Sequence, residues 1–349
     1  MKESMIFDDE TVAALFGHEA AENESIDKLM LYYFKNDIFK RVTAHLPLRI
    51  LVGHKGIGKS ALLSVAREQD KQDGIISIFL KNNDISIANS SQTFNEKINS
   101  YKQALTHLIY ERVINEYCNQ NTDEKNFEWL KIKGFSIIDA IENFVKPLLN
   151  NQVPDSKYIK SKFIKNFIEN KKEIIVYIDD LDRGWSASKE AISQLSALIN
   201  ALRDLSSENR GLLFKIALRS DVYYLVRTSD ESTDKIEGSV IWHTWTNHEI
   251  LALFAKRIES FYGNSIDDTL LVSESQNALS KRFEKIIDPI FYGKGKWEKI
   301  PTYRMLMTLI RRRPRDIIKL CTLAAQEAYR KKSPKIKSEH FSSVFDSYS

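Results

Sequence analysis

Few short stretches dictate as much backbone as Gly53-His54-Lys55-Gly56-Ile57-Gly58-Lys59-Ser60, which satisfies the pattern G-x-x-x-x-G-K-[ST] without a mismatch. Ile50, Leu51 and Val52 before it predict a buried strand, and Ala61, Leu62, Leu63, Val65 and Ala66 after it predict a helix. Glycines accept positive φ, so successive N–H groups between the two elements can curl into an anion nest at the positive end of the helix. In such a loop Lys59 reaches the β/γ-phosphates and Ser60 holds Mg²⁺, with Gly53 to Ala61 as candidate nucleotide contacts. A Gly-rich connector is the rival reading. The flanking strand and helix disfavour it.

A second signature follows the apolar run Ile174-Ile-Val-Tyr-Ile178, which delivers Asp179 and Asp180 to the carboxyl end of a predicted strand, where open α/β sheets bind ligands. The chemistry assigns Asp179 to the metal and Asp180 to the attacking water. Asp182 fits either an outer position around the metal or a pair with Arg183. Arg219, at the tip of the strand Leu212–Leu218, fits a γ-phosphate contact or a surface ion pair with Asp221. Trp185, Trp242 and Trp245 read as packing residues rather than a base-stacking platform.

Elsewhere the spacing Val12/Leu15/Phe16 and Ile26/Leu29/Met30/Tyr33/Phe34 predicts two or three helices over residues 8–45. Residues 75–80 predict a further strand and residues 240–243 a fifth. The Lys/Asn-rich stretch 82–172 predicts a helical insertion, with the stripes Leu105/Leu108/Ile109/Val113 and Ile137/Ile138/Ile141/Val145 and with Pro147 and Pro154 as punctuation. Helices are predicted at Ile192/Leu195/Ile199/Leu202 and at 249–262. Only helices are expected beyond Gly263, with an abrupt stop that fits a truncated form of something longer.

At 349 residues, 43% apolar and 28% charged, the chain has room for one large α/β domain and a smaller one. No run is long and apolar enough to span a bilayer, and the acidic start lacks an h-region, so a cytoplasmic protein without membrane association is expected. Cys118 and Cys321 read as buried free thiols, and no His/Cys pair has zinc-ligand spacing. The formal charge of +4 hides an asymmetry: residues 294–337 hold 14 Lys and Arg against three Asp and Glu. Such a block suits nucleic acid, bound nucleotide or a solvated face. Within it Pro314 is placed as the first residue of a helix faced by Ile317/Leu320/Cys321/Ala324, so Arg311, Arg312, Arg313 and Arg315 gather at a positive helix end. An anion would relieve that repulsion. A γ-phosphate reached by Arg315 or Arg313 is the favoured candidate, beside an acidic partner, a nucleic-acid backbone or solvent.

With these residues in place the chain resembles an additional-strand P-loop ATPase of the AAA+/STAND branch. Asp179-Asp180-Leu181-Asp182-Arg183 and Arg313-Pro314-Arg315-Asp316 resemble KAP-type bacterial ATPases more narrowly. The resemblance implies a three-layer α/β/α core with strand order 5-1-4-3-2, a helical lid, a sensor at Arg219 and closure over adenine by the segment from Ala20 to Phe34. KAP proteins typically carry membrane helices between the two signatures; residues 82–172 are too polar and interrupted for that. The related ATPases serve bacterial defence or signalling, where nucleotide state drives assembly and switches an effector.

The expected organisation is residues 1–46 as helices closing on the nucleotide, 47–262 as the ATPase core and 263–349 as the lid. The expected function is a slow Mg²⁺-dependent ATPase acting as a homo-oligomeric switch with a partner effector. Nucleic acid is a further candidate partner through 294–337. The alternatives are a nucleic-acid-stimulated motor or clamp loader, or an inactive nucleotide-binding scaffold in which Asp180 falls short of the water. A guanine-reading [NT]-K-x-D tetrad and an L-S-G-G-Q element are both missing from the sequence, which disfavours GTPases and ABC ATPases. Spacing does not rank Arg203, Arg210 and Arg227 as an arginine finger.

Overall fold

Strand β3 (Ile174–Asp179) is buried along its whole length. A continuous apolar run meets that condition inside a parallel sheet covered on both faces. In the computed structural model, which describes residues 5–18, 23–85, 93–120, 173–229 and 231–348, β3 lies between β2 (Ile76–Lys81) and β4 (Leu212–Arg219), parallel to both. Strands β1 (Leu48–Gly53) and β5 (Val240–Trp242) complete the order β2-β3-β4-β1-β5. Counted from the opposite edge this is the expected 5-1-4-3-2.

The chain clusters into two units. The first comprises Ala44–Val52 and Ala66–Ile241 and holds the sheet. There helix α5 (Phe94–Gln120) packs on β2 and on α6 (Lys189–Glu208), and α6 packs on β4 and α7 (Ser220–Ser229). Of the predicted α5 stripe, Leu105, Ile109 and Val113 are buried and Leu108 is packed against the same core. The second stripe, Ile137 to Val145, and the two prolines lie outside the described residues. So does the side chain of Cys118; Cys321 is a buried free thiol, its pKa raised by burial.

This core also encloses polar groups. Tyr177, on β3, donates its hydroxyl to Asp70 Oδ2 at 2.5 Å, and the fully buried Lys215, on β4, donates to Ala44 O. Burial, with Arg49 nearby, lowers the Lys215 pKa to about 8, while Asp70 and Glu173 act the other way. Burial raises the Asp70 carboxyl in spite of the Tyr177 bond. The carboxyl is thus satisfied by the phenol and the ammonium by a backbone carbonyl, which is the condition for keeping such groups inside.

The second unit comprises Met1–Thr43, Gly53–Val65 and Trp242–Ser349. Helix α1 (Asp9–Phe16) packs on α8 (Asn247–Phe261) and on α12 (Pro314–Arg330). Its Phe16 stacks on Phe254 with centroids 5.8 Å apart. Helices α2 (Ile26–Tyr32), α9 (Asp268–Ser273) and α10 (Gln276–Lys281) contact α8, and α13 (Ser338–Tyr348) pairs with α12. Helices α3 (Asp37–Thr43) and α11 (Thr302–Leu309) complete the unit. The expectation of helices alone beyond Gly263 is corrected: β6 (Ile290–Phe291) and β7 (Ile300–Pro301) form an antiparallel pair. A two-residue strand has no periodicity to read, so only its partner across the turn defines it.

Tyr177→Phe should destabilise the protein by about 1–3 kcal/mol, because it leaves the buried Asp70 without its phenolic donor. Urea unfolding of the two proteins checks this through the midpoint at unchanged slope.

Candidate nucleotide site

Between the end of β1 at Gly53 and the start of helix α4 (Lys59–Gln72), the loop turns through Gly56 at φ 80° and Gly58 at φ 98°. An L side chain rarely adopts either value, which explains both glycines. Lys59 Nζ donates to Gly53 O at 2.9 Å and His54 O at 3.2 Å, folding back over the start of its own loop. His54 and Lys55 are exposed, Ser60 and Ala61 are half-buried, and Ile57 plugs into the helical core.

Three side chains distant in sequence enclose this loop. A Cβ at Gly53 would stand 3.2 Å from His243 Cβ and O, and one at Gly58 would stand 3.9 Å from His243 Cε1. Trp245 Nε1 donates to Ile57 O at 2.8 Å. A Cβ at Gly56 would meet Arg315 Cδ at 3.3 Å and Nε at 3.5 Å. Arg315 lies in the first turn of α12, after Pro314 and with Arg313 at the N-cap position, while Asp316 accepts from Arg311 N at 3.2 Å. Of Arg313 and Arg315, Arg315 therefore lies against the loop.

His243 is buried, and among the described residues neither of its ring nitrogens has a hydrogen-bond partner. Burial, aided by the Lys59 charge, lowers its pKa to about 3, so the imidazole is neutral at physiological pH. Neither His243 nor Trp245 was legible as a loop residue. The usable signal was Thr246-x-x-Glu249, an S/T-x-x-E capping box that marks the joint between β5 and α8.

In the sheet unit, Asp179 ends β3 and is buried, and Asp180 follows at φ 59°. A turn then closes through Arg183 N to Asp180 O at 3.0 Å and Trp185 N to Asp182 O at 3.1 Å. Asn82 Nδ2 ties it to β2 by donating to Arg183 O at 3.3 Å. Arg219 grips Asp221 with two bonds, 3.0 and 2.6 Å, and lies 3.5 Å from Asp182 Oδ2. The Asp221 hydrogen bond is the main cause that raises the Arg219 pKa. Asp182 thus faces Arg219 rather than Arg183. Among the finger candidates, Arg203 pairs with Asp204 at 3.1 Å and Arg227 with Glu237.

The loop fits a phosphate chain: it has two left-handed glycines, a helix whose first N–H groups lack intrahelical acceptors, and an arginine laid over the turn. Among the described residues no group of three or more His, Cys, Asp or Glu could hold a metal ion. Ser60, at the head of α4, and Asp179, at the end of β3, each carry an oxygen donor of the kind Mg²⁺ takes.

A family profile described as the KAP family P-loop domain matches residues 36–214. The chain belongs to that family. No curated protein matches it by sequence. Among solved structures it is similar to the Aeropyrum pernix ORC2 protein in its ADPNP-ADP complexes, at 13% identity and TM-score 0.40, covering 92% of this chain and 66% of that one. It is also similar to Drosophila ORC bound to DNA, at 10% identity and TM-score 0.42 over 95% and 68% of the two chains. The Thermotoga maritima RuvB Holliday junction branch migration motor matches at 11% and TM-score 0.38 over 94% and 69%. All three likenesses are distant, and this chain spans about two thirds of each relative.

In the KAP chain the segment from Ala20 to Phe34, expected to close over adenine, lies partly outside the described residues, at 20–22. Its remainder is tied down: His18 N donates to Glu24 Oε2 at 2.9 Å, and the Arg257 guanidinium sits 4.1 Å over the Tyr32 ring while donating to Phe16 O. Trp185 packs on the sheet core and Trp245 is buried, as expected of packing residues, whereas Trp242 is 39% exposed. Among the described residues no helix is long and apolar enough to cross a membrane.

His243 carries a pH signature. Its pKa falls from 6.5 to about 3 on folding, so between those values the unfolded chain binds the extra proton. Its contribution is complete above about pH 6.5 and is lost as pH falls toward 3, at up to about 1.4 kcal/mol per pH unit. His243→Asn should flatten the acid limb of the stability-against-pH curve by that slope, read by denaturant unfolding at stepped pH.

Proposed function

We propose that this KAP domain is a cytoplasmic Mg²⁺-dependent ATPase that works as a switch, as a homo-oligomer and with a partner effector. The observation that carries the reading is the loop from Gly53 to Ser60, with Gly56 and Gly58 at positive φ and Arg315 laid over the turn. Backbone amides of this loop bind the phosphates, and Lys59 exchanges its two loop carbonyls for β/γ-oxygens. Ser60 and Asp179 are the residues that would hold Mg²⁺, which would supply neutralising charge to those oxygens. Asp180 orients and polarises the attacking water. Arg315 and Arg313 answer the negative charge from the helical side, and Arg219, released from Asp221 and Asp182, reports the state of the γ-phosphate.

The defence or signalling role and the effector rest on the family resemblance alone. A second reading, ATP turnover stimulated by nucleic acid, is favoured by the basic segment 294–337, where Arg311 and Arg312 are exposed. It predicts several-fold stimulation by DNA or RNA and a steep loss of that effect with salt. An inactive scaffold would bind ATP and release no phosphate in single-turnover assays.

Lys59→Ala should fold normally and bind ATP about 10- to 100-fold more weakly, the loss of one charged hydrogen-bonding group. Asp180→Asn should retain ATP binding and release phosphate on the order of 10²–10⁴-fold more slowly. Equilibrium binding and phosphate release measured on both variants decide the matter, and wild-type values in both would remove the assignment.

A further inference from the structure

The peptide that joins Ile57 to Gly58 has its carbonyl claimed by a side chain 188 positions further along the sequence, the indole of Trp245. A trans peptide is planar, so its C=O and its N–H point in opposite directions. Holding Ile57 O toward Trp245 therefore turns Gly58 N–H away from the tryptophan. Gly58 sits at φ 98°, and glycine tolerates a peptide flip beside it more readily than any other residue. The donor is what selects one of the two orientations. We propose that Trp245 is a positioning residue for the phosphate loop, its indole N–H holding the Ile57 carbonyl outward so that Gly58 N–H faces the bound phosphate.

The neighbourhood makes Trp245 a stiff support. It is buried, its ring tilts against Phe34 at 6.5 Å and against His243 at 5.5 Å. The next residue, Thr246, caps α8 reciprocally: Glu249 N donates to Thr246 Oγ1 at 3.1 Å and Thr246 N to Glu249 Oε2 at 2.8 Å. Glu249 also accepts from Asn36 Nδ2 at 3.0 Å. The position of the indole N–H is thus set by the start of a helix. Ile57 is anchored on the other side by burial of its own side chain, and His243 packs beside Gly53 and Gly58, so water has little room to replace the indole as donor.

The inference rests on the nucleotide reading above, and its test separates the two. Trp245→Phe keeps an aromatic ring in the core and removes the N–H; replacement of Trp245 by β-(3-benzothienyl)alanine removes the N–H while preserving the bicyclic shape, should the phenylalanine variant fold poorly. Trp297→Phe thins the same helical core at the Phe291 and Phe345 contacts and serves as the control. The expected result is a loss of about tenfold in affinity for both ATP and inorganic pyrophosphate on removing the Trp245 N–H, with wild-type affinity in Trp297→Phe. Wild-type affinity in the N–H-deleted protein, while Lys59→Ala loses binding, would overturn the role of Trp245 and leave the nucleotide site standing. Unchanged binding in Lys59→Ala would overturn both.

Discussion

A phosphate loop works only if its amides converge on one point, and that convergence depends here on two residues held at positive φ, Gly56 and Gly58. Left-handed backbone is open to glycine without steric cost, but it is also loose, since glycine gives up more freedom on ordering than any other residue. The surrounding unit supplies what the glycines lack. Trp245 fixes one carbonyl, His243 fills the space beside Gly53 and Gly58, and Arg315 lies along Gly56. The result gathers positive potential: helix amides, the Lys59 ammonium and the Arg315 guanidinium share a small region. A neutral His243 adds nothing to it, because burial and Lys59 together keep its proton off. Such an arrangement is best relieved by a polyanion, which is the physical content of calling it a phosphate site.

The sheet unit solves a different problem, that of presenting carboxylates at the end of an apolar strand. Asp179 remains on β3 and is buried, whereas Asp180 leaves the strand through a left-handed turn at φ 59°, a conformation that costs about 1–2 kcal/mol outside glycine and is least costly for Asp and Asn. Two adjacent acidic residues thus acquire unlike surroundings. Next to them Arg219 is shared by Asp182 and Asp221, so the cation at the tip of β4 is balanced locally. Deeper in the same unit the buried Asp70 is met by the Tyr177 hydroxyl and the buried Lys215 by the Ala44 carbonyl.

Much of this was legible in the order of residues. The five strands, the α8 and α12 helices and the α5 stripe follow from runs and periods that local physics makes hard to misread, whereas the order of the strands in the sheet came only from the family resemblance. The two-residue strands β6 and β7 were not legible, since nothing local distinguishes them from loop. Asp182 offered Arg183 as a neighbour in sequence, yet its ion partner is Arg219. Trp245 read correctly as a buried packing residue, but its hydrogen bond to Ile57, 188 positions away, had no local trace.

Sequence by itself determined the tight turn, the lysine and serine at the head of α4 and the acidic pair at the end of β3, because each depends on φ tolerance, helix polarity and charge within a few residues. Tertiary structure alone decided which side chains enclose that turn. His243, Trp245 and Arg315 come from two distant segments, and only the packing of α8 and α12 into one helical core brings them to Gly53, Ile57 and Gly56. Burial is a property of the packed core and not of any stretch of chain, so the imidazole that stays neutral and the indole that finds a carbonyl could be recognised only after folding.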